Sequence, residues 1–169
     1  MKYNFSIRSL HMILATLIIV QLILGFGFAF EILDFSWVIA LHKSFGLLTL
    51  FVIIMLVIAR IFSKKLSYNP PLPLIQHIIA KIVHLGLYIS SLGMALSGLL
   101  GSMLMGYQWK IFFIIPFPEI FKTDFPLGAR IFSYHYIFAT ILLVLVVLHI
   151  AAALYHQLIL KDNILTRMK

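Results

Sequence analysis

The sequence contains no cysteine and few charged residues. The lack of cysteine excludes structural disulfides, thiolate ligation of iron–sulfur clusters and covalent attachment of haem through a C-x-x-C-H motif. Charged residues make up only 11% of the 169 positions, five of them acidic, whereas 63% are apolar. The mean hydropathy is +1.10. Such values lie outside the range of soluble domains and predict an integral membrane protein embedded in lipid.

Four apolar segments are each long enough to cross a bilayer as a helix. They predict an all-α fold, an integral membrane four-helix bundle that forms one domain over residues 1–169. The first segment is too long for the core of a signal peptide, and no small-x-small cleavage site follows it. The expected spans are residues 10–30, 37–62, 78–105 and 130–160.

Between these spans, the longest connection covers residues 106–128 and is rich in aromatic residues and proline. We expect it to fold back over one end of the bundle, in the membrane interface. The third span carries small residues four positions apart, in two rows, and such rows usually allow close helix packing. The rows are Gly93, Ser97, Gly101 and Gly98, Ser102, Gly106.

The net charge of +8 is best explained by membrane topology, not by nucleic-acid binding. Nine basic residues lie in the chain ends and the connection between spans two and three, against four on the other side. The positive-inside rule therefore predicts that both termini are cytoplasmic. The nine are Lys2, Arg8, Arg60, Lys64, Lys65, Lys81, Lys161, Arg167 and Lys169; the four are Lys43, Lys110, Lys122 and Arg130. The acids Glu31, Asp34, Glu119 and Asp124 bring the net charge of the outer side to about zero, and Asp162 lies inside.

The fourth span contains His135 and His149, fourteen residues apart. On an α-helix this separation is about four turns and a rise of about 21 Å, so both imidazoles lie on one face at two depths. Ionisable side chains within a span are costly and usually functional. The spacing predicts two planar cofactors stacked along the bundle, and because cysteine is absent, any haem would be a non-covalent b haem.

Alternating span directions identify partners for these two histidines. His42, near the start of the second span, is at the outer depth and matches His135. His11, in the first span, is at the inner depth and could pair with His149, and depth alone does not exclude His84 from that role.

The residue one helical turn beyond each histidine separates the candidates further, because a haem against a helix needs little bulk there. His11, His42, His135 and His149 are followed by Ala15, Gly46, Ala139 and Ala153. His77, His84 and His156 are followed by Lys81, Tyr88 and Leu160. His84 is therefore the second choice. Two neutral imidazoles on one iron leave no open position, so such haems transfer electrons and do not normally activate a substrate at the metal.

Several segments resemble the bacterial cytochrome b561 family, in particular its superoxide oxidases. The last of these segments, with its K-D-N-x-L ending, is the most specific. The segments are LHMILATL (10–17), LHKSFGLLTLFVIIMLVIAR (41–60), VHLGLYI (83–89), YHYIFAT (134–140) and LHIAAALYHQLILKDNILTRM (148–168).

The resemblance implies a four-helix protein of the bacterial inner membrane with two b haems. The haem ligands would be His42 with His135 on the outer side and His11 with His149 on the inner side. His156 matches the family's quinone-site histidine, and an imidazole there could bond a quinone carbonyl and transfer a proton; the alternative is an interfacial histidine.

The implied activity is a superoxide:ubiquinone oxidoreductase, in which superoxide is oxidised outside and electrons pass through both haems to ubiquinone. The neutral outer side departs from the positive potential that would attract superoxide. A second hypothesis is a cytochrome b subunit that receives electrons from another one-electron donor, a dehydrogenase or hydrogenase partner, and passes them to quinone. A third is a haem-free membrane channel or scaffold with buried histidines.

Overall fold

A computed structural model describes residues 3–33, 35–63 and 73–162. Several predicted features lie outside the described residues, among them part of the charge pattern and most of the K-D-N-x-L motif. The charged residues concerned are Lys2, Asp34, Lys64, Lys65, Arg167 and Lys169.

Four long helices account for most of the described chain. They are α1 (Phe5–Ala29), α2 (Ser36–Ile61), α3 (Leu74–Leu104) and α4 (Phe125–Tyr155), and a π-helical turn, His156–Leu160, extends α4. Each is long and apolar enough to cross a membrane. The predicted all-α membrane four-helix bundle is confirmed. We call the end at which α1 begins and the π-helical turn ends the termini end, and the opposite end the hairpin end.

Two helices begin about five residues before the predicted spans, because capping residues and not hydropathy determine where a helix starts. The side chain of Asn4 accepts a hydrogen bond from the backbone N–H of Ser6, at 3.3 Å, and α1 begins at Phe5. Asp124 accepts from the N–H of Leu127, at 3.0 Å, and a proline lies in the first turn of α4. Proline is well suited to that position.

The connection between α3 and α4 folds over the hairpin end, as predicted, but it also contains two short strands. Strands β1 (Lys110–Ile111) and β2 (Ile115–Pro116) pair antiparallel through a tight turn. The backbone N–H of Phe112, in that turn, donates a hydrogen bond to Oγ of Ser44 on α2, at 2.8 Å. This bond ties the hairpin to the helix that carries His42.

Small residues bring α3 and α4 together, as their spacing predicts. A Cβ added to Gly93 would lie 2.6 Å from the ring of Phe138, and one added to Gly101 would lie 3.0 Å from the backbone of Phe132. Side chains of α4 therefore occupy the space that these glycines leave, which is the usual way that membrane helices pack closely.

Most of α4 faces outward, and of its residues only Gly128 and Leu142 are buried. Its large apolar side chains match a helix that is solvated by lipid. Within the described residues, α4 packs along α3 and has few close approaches to α1 or α2. The facing surfaces of α4 and the α1–α2 pair are thus separated by a gap, and the histidines lie in it.

Candidate functional site

His42 on α2 and His135 on α4 face each other across this gap near the hairpin end. Their ring centroids are 6.0 Å apart and their planes are nearly perpendicular, at 88°. A metal–imidazole nitrogen bond is about 2 Å long and the ring centroid lies about 1 Å beyond the nitrogen, so two imidazoles on opposite sides of one metal ion have centroids about 6 Å apart. The observed separation therefore suits a metal ion between the two rings.

The orientation of His135 is determined by the backbone of α3. Its Nδ1 lies 2.7 Å from the carbonyl oxygen of Met94, and because a carbonyl can only accept, Nδ1 carries the hydrogen and donates it. Nε2 is then the unprotonated nitrogen that can bind a metal, as in many metal-ligating histidines. The ring also stacks on Phe132 at 5.4 Å.

Two glycines leave room for these two rings, and a glutamine holds the backbone of His42. A Cβ on Gly25 would lie 2.9 Å from Cε1 of His42, and one on Gly98 would lie 2.7 Å from Nδ1 of His135. Gln21 donates from Nε2 to the carbonyl oxygen of His42, at 3.0 Å. Within the described residues, Nδ1 of His42 is buried and forms no hydrogen bond. A buried imidazole nitrogen in that state is expected where a further ligand belongs.

A cavity of about 510 Å³ adjoins this pair. It is lined by both histidines and by Gly46 and Ala139, the small residues predicted to lie against a cofactor. The volume is in the range of about 300–1,000 Å³ that is typical of cofactor and small-molecule sites.

Three histidines meet near the termini end. His11 and His149 have ring centroids 6.3 Å apart, whereas His84 and His149 are 5.3 Å apart. The first distance matches two imidazoles on opposite sides of one metal and the second is too short, which favours His11 over His84 as the partner of His149. Nδ1 of His11 is buried without a hydrogen-bond partner, like that of His42. The small residues Ala15 and Ala153 are half-buried, and their contact with a cofactor stays a prediction.

Arg60 borders the termini-end histidines, a position that the sequence did not predict. Its guanidinium lies 4.4 Å from the ring centroid of Tyr3 and beside Tyr88, and it is close enough to His11 and His84 to interact with both. The sequence identified Arg60 only as a topology charge. Its place beside the histidines depends on how α2 crosses α1 and α3.

His156 is separate from both histidine groups and pairs with an acid. Its Nδ1 lies 2.5 Å from Oδ2 of Asp162, and the backbone N–H of Asp162 donates to the carbonyl oxygen of His156. Lys161 has a left-handed backbone, with φ of 52°, which turns the chain back after the π-helical turn. The predicted quinone-site role of His156 stays a prediction.

Within the described ranges, no group of three or more His, Cys, Asp or Glu side chains is arranged to hold a bare metal ion. Each histidine pair could supply two ligands to one metal ion. Such pairs fit a metal that brings its own equatorial ligands, as the iron of a haem does. The ring separations of 6.0 and 6.3 Å agree with this fit in both pairs, and the glycines Gly25 and Gly98 agree with it at His42 and His135.

Comparison with known proteins identifies the family of this chain. The family profile described as prokaryotic cytochrome b561 matches residues 2–169. The chain is 29% identical over 136 residues to a Yersinia pestis protein named Probable superoxide oxidase CybB, covering 78% of this chain and 74% of that protein. It is 35% identical over 104 residues to Cytochrome b561 homolog 1 of Escherichia coli (strain K12), covering 60% of this chain and 57% of that protein. The chain therefore belongs to the prokaryotic cytochrome b561 family, whose members are haem-binding electron-transfer proteins of the membrane.

Proposed function

We propose that this protein is a superoxide:ubiquinone oxidoreductase that holds two b haems within one transmembrane domain. The observation that carries the proposal is the pair of histidine contacts across the gap, at 6.0 and 6.3 Å between ring centroids. His42 with His135 would hold one haem, and His11 with His149 the other. When bound, each haem supplies reversible one-electron chemistry at an iron with no free coordination position.

The protein's own residues would hold these cofactors in a dry, shaped space. The bond from His135 to the carbonyl of Met94 orients one ligand, and Gln21 supports the backbone of another. Gly25 and Gly98 keep side-chain atoms away from the two rings, and Gly46 leaves space for the amide of Gln21. Neutral imidazoles suit the apolar gap, because an ionised pair would be strongly destabilised there.

Superoxide is the proposed electron donor because of the similarity to a protein named for that activity. Two superoxide ions would each lose one electron and leave as dioxygen. One ubiquinone would gain two electrons and two protons and leave as ubiquinol. Donor and acceptor would react at opposite ends of the bundle, the donor at the hairpin end.

His156 and Asp162 are the proposed proton-handling residues at the quinone. Because a carboxylate accepts, the contact between them places a hydrogen on Nδ1 of His156. Nε2 is then free to accept a proton and to donate it to a quinone carbonyl oxygen. Asp162 would stabilise the imidazole when it is protonated, a positioning role.

The proposed location is the bacterial inner membrane with both termini cytoplasmic. In that orientation the hairpin end faces the periplasm, and the quinone site lies at the cytoplasmic surface. The excess of basic residues near the termini supports it.

Stopped-flow mixing of superoxide with the purified protein and a ubiquinone analogue tests the proposal. We expect rapid reduction of a bis-histidine b haem, followed by one quinol for every two superoxide ions consumed. A pyridine haemochrome assay should find two b haems per chain. If superoxide does not reduce the haem and a dehydrogenase or hydrogenase partner is required, the result would favour the cytochrome b subunit instead. If the purified protein contains no haem, the result would favour the channel or scaffold.

A further inference from the structure

A second, smaller cavity lies next to the larger one at the hairpin end. Its volume is about 320 Å³, and it shares Ile39, Lys43 and Trp109 with the cavity that holds His42 and His135. The rest of its lining consists of Ser36, Ala40, Gln108, Lys110 and Phe113. We call it the Lys43 cavity. It therefore lies between the hairpin and the start of α2, beside the proposed haem site.

Lys43 follows His42 in the sequence and is held by aromatic rings. Its ammonium lies 5.2 Å from the ring centroid of Tyr107 and 6.0 Å from that of Trp109. The side chain is half-buried, and within the described part of the chain it forms no ion pair. Aromatic faces attract a cation, but they do not neutralise its charge. A partly desolvated ammonium without a counter-ion is favourable mainly where an anion completes the site.

The other polar groups of the Lys43 cavity also suit an anion. Lys110 is exposed and adds a second positive charge, and Ser36 contributes a hydroxyl group. No Asp or Glu among the described residues lines either cavity. The nearby acid Glu119 accepts a hydrogen bond from the amide of Gln108, at 2.5 Å, and does not line the cavity.

We propose that the Lys43 cavity binds a small inorganic anion beside His42. The identification of that anion with superoxide rests on the proposed function, whereas anion binding itself does not. Such a site is compatible with the net charge of about zero counted for the outer side of the sequence. Attraction over the last few ångströms needs a local positive charge, and charges more than about 10 Å away are largely screened by salt.

Two sources could supply the anionic group, because Lys43 lines both cavities. One is a small anion that diffuses in from solution, and the other is a carboxylate of the cofactor in the larger cavity. The Lys110 side of the Lys43 cavity lies away from the larger one, which favours the diffusing anion. An experiment on the haem-loaded protein separates the two, since a cofactor carboxylate at Lys43 would exclude an added anion.

The two tryptophans of the chain provide a direct probe. The haem-loaded, reduced protein is labelled with 5-fluorotryptophan, which yields one fluorine resonance from Trp109 in the cavity and one from Trp37 outside it. Sodium thiocyanate replaces sodium gluconate step by step, so that the ionic strength stays constant. The gluconate anion is much larger than thiocyanate. We expect a saturable shift of the Trp109 resonance and none for Trp37. An unsaturable response, or none, at Trp109 would overturn the proposal.

Substitutions identify the lysine responsible. Lys43→Gln should raise the dissociation constant for thiocyanate about tenfold or more, as loss of a charge-assisted contact predicts, and Lys43→Arg should largely restore it. Lys122 lies in the connection that also carries Lys110 but does not line the cavity, so Lys122→Gln removes the same charge and should bind thiocyanate as wild type does. If Lys43→Gln loses haem, exposed Lys110→Gln should still weaken binding several-fold. Equal thiocyanate affinity in wild type and the cavity variants would contradict the site.

The kinetic arm tests the link to superoxide separately. Lys43→Gln should lower the second-order rate constant for haem reduction by superoxide about tenfold and flatten its dependence on ionic strength. Reduction by an uncharged reductant should not change. If the protein binds thiocyanate but does not react with superoxide, the proposed function is wrong and the anion site remains. If wild type and Lys43→Gln react with superoxide equally fast, Lys43 has no role in that reaction.

Discussion

Buried histidine nitrogens distinguish the ligand candidates at the scale of single residues. His135 has a backbone carbonyl on Nδ1, whereas Nδ1 of His42 and of His11 has no partner. Buried polar atoms are nearly always hydrogen-bonded in native proteins. Among the described residues these two nitrogens form no hydrogen bond, and both lie on histidines that the sequence selected, which agrees with a further group beside each ring.

His149 and His84 give the sharpest test of the ligand assignment. His149→Ala should remove one of two haems, because His149 lies at the ligand spacing from His11. His84→Ala should retain both, since its ring is too close to His149 to share a metal with it. The pyridine haemochrome assay measures the number of haems per chain in each variant.

Each of these variants serves as the control for the other, because both remove one imidazole from the same cluster. Two haems in His149→Ala and one in His84→Ala would overturn the assignment and make His84 a ligand. Redox titration of the remaining haem identifies which site has been lost.

At the scale of elements, α3 supplies no proposed iron ligand but determines where α4 lies. Its glycines admit Phe132, Phe138 and His135, and its Met94 carbonyl orients the last of these. The sequence predicted this stripe of small residues as a packing surface. It did not indicate that one member, Gly98, faces an imidazole, because the rotation of α3 against α4 depends on the whole interface.

Gly98→Ala should release the haem at the hairpin end. The added Cβ would lie 2.7 Å from Nδ1 of His135, so the ring must move and its bond to Met94 is lost. We expect the haem content to fall from two per chain towards one, measured by pyridine haemochrome. The haem at the termini end should keep its reduction potential.

Gly93→Ala is the matched control on the same helix. Its Cβ would meet Phe138, at 2.6 Å, and no histidine. We expect it to lower thermal stability and still bind two haems. Equal haem loss in both variants would mean that close packing of α3 on α4, and not space for His135, is what the cofactor requires.

On the scale of the whole molecule, the bundle separates two kinds of surface. The hairpin end has the Lys43 cavity and a hairpin tied to α2, whereas the termini end has Arg60 near the histidines and the His156–Asp162 pair. A protein that moves electrons across the membrane needs such a difference between its ends. The proposed direction of transfer depends on which end faces the cytoplasm.

Because the chain has no cysteine, single introduced cysteines report orientation without background labelling. Ile120→Cys at the hairpin end and Leu74→Cys at the termini end replace side chains of similar exposure, 62% and 73%. In intact cells, a membrane-impermeant maleimide should label Ile120→Cys and not Leu74→Cys. After lysis, both should react.

The opposite labelling pattern would invert the proposed topology and bring the Lys43 cavity to the cytoplasm. That result would remove periplasmic superoxide as the donor and leave the haem ligands untouched. The lysed sample controls for a cysteine that is buried or unreactive in either variant.

The sequence alone determined the class of fold, the number of spans and the four histidines at two depths. These follow from local properties: hydropathy, helical periodicity and the sign of charges in the connections. Helices α1 and α4 begin five residues before the predicted spans, since capping by Asn4 and Asp124 outweighed hydropathy there.

Only the tertiary structure decided which side chains meet across helices. The distances that separate His11 from His84, the carbonyl that orients His135, and the place of Lys43 among Tyr107 and Trp109 all depend on helix rotation and on a hairpin that folds back. Helix rotation is set by the summed packing of many small contacts between distant segments. No local pattern encodes that sum, and so the partners of each residue become known only in the folded chain.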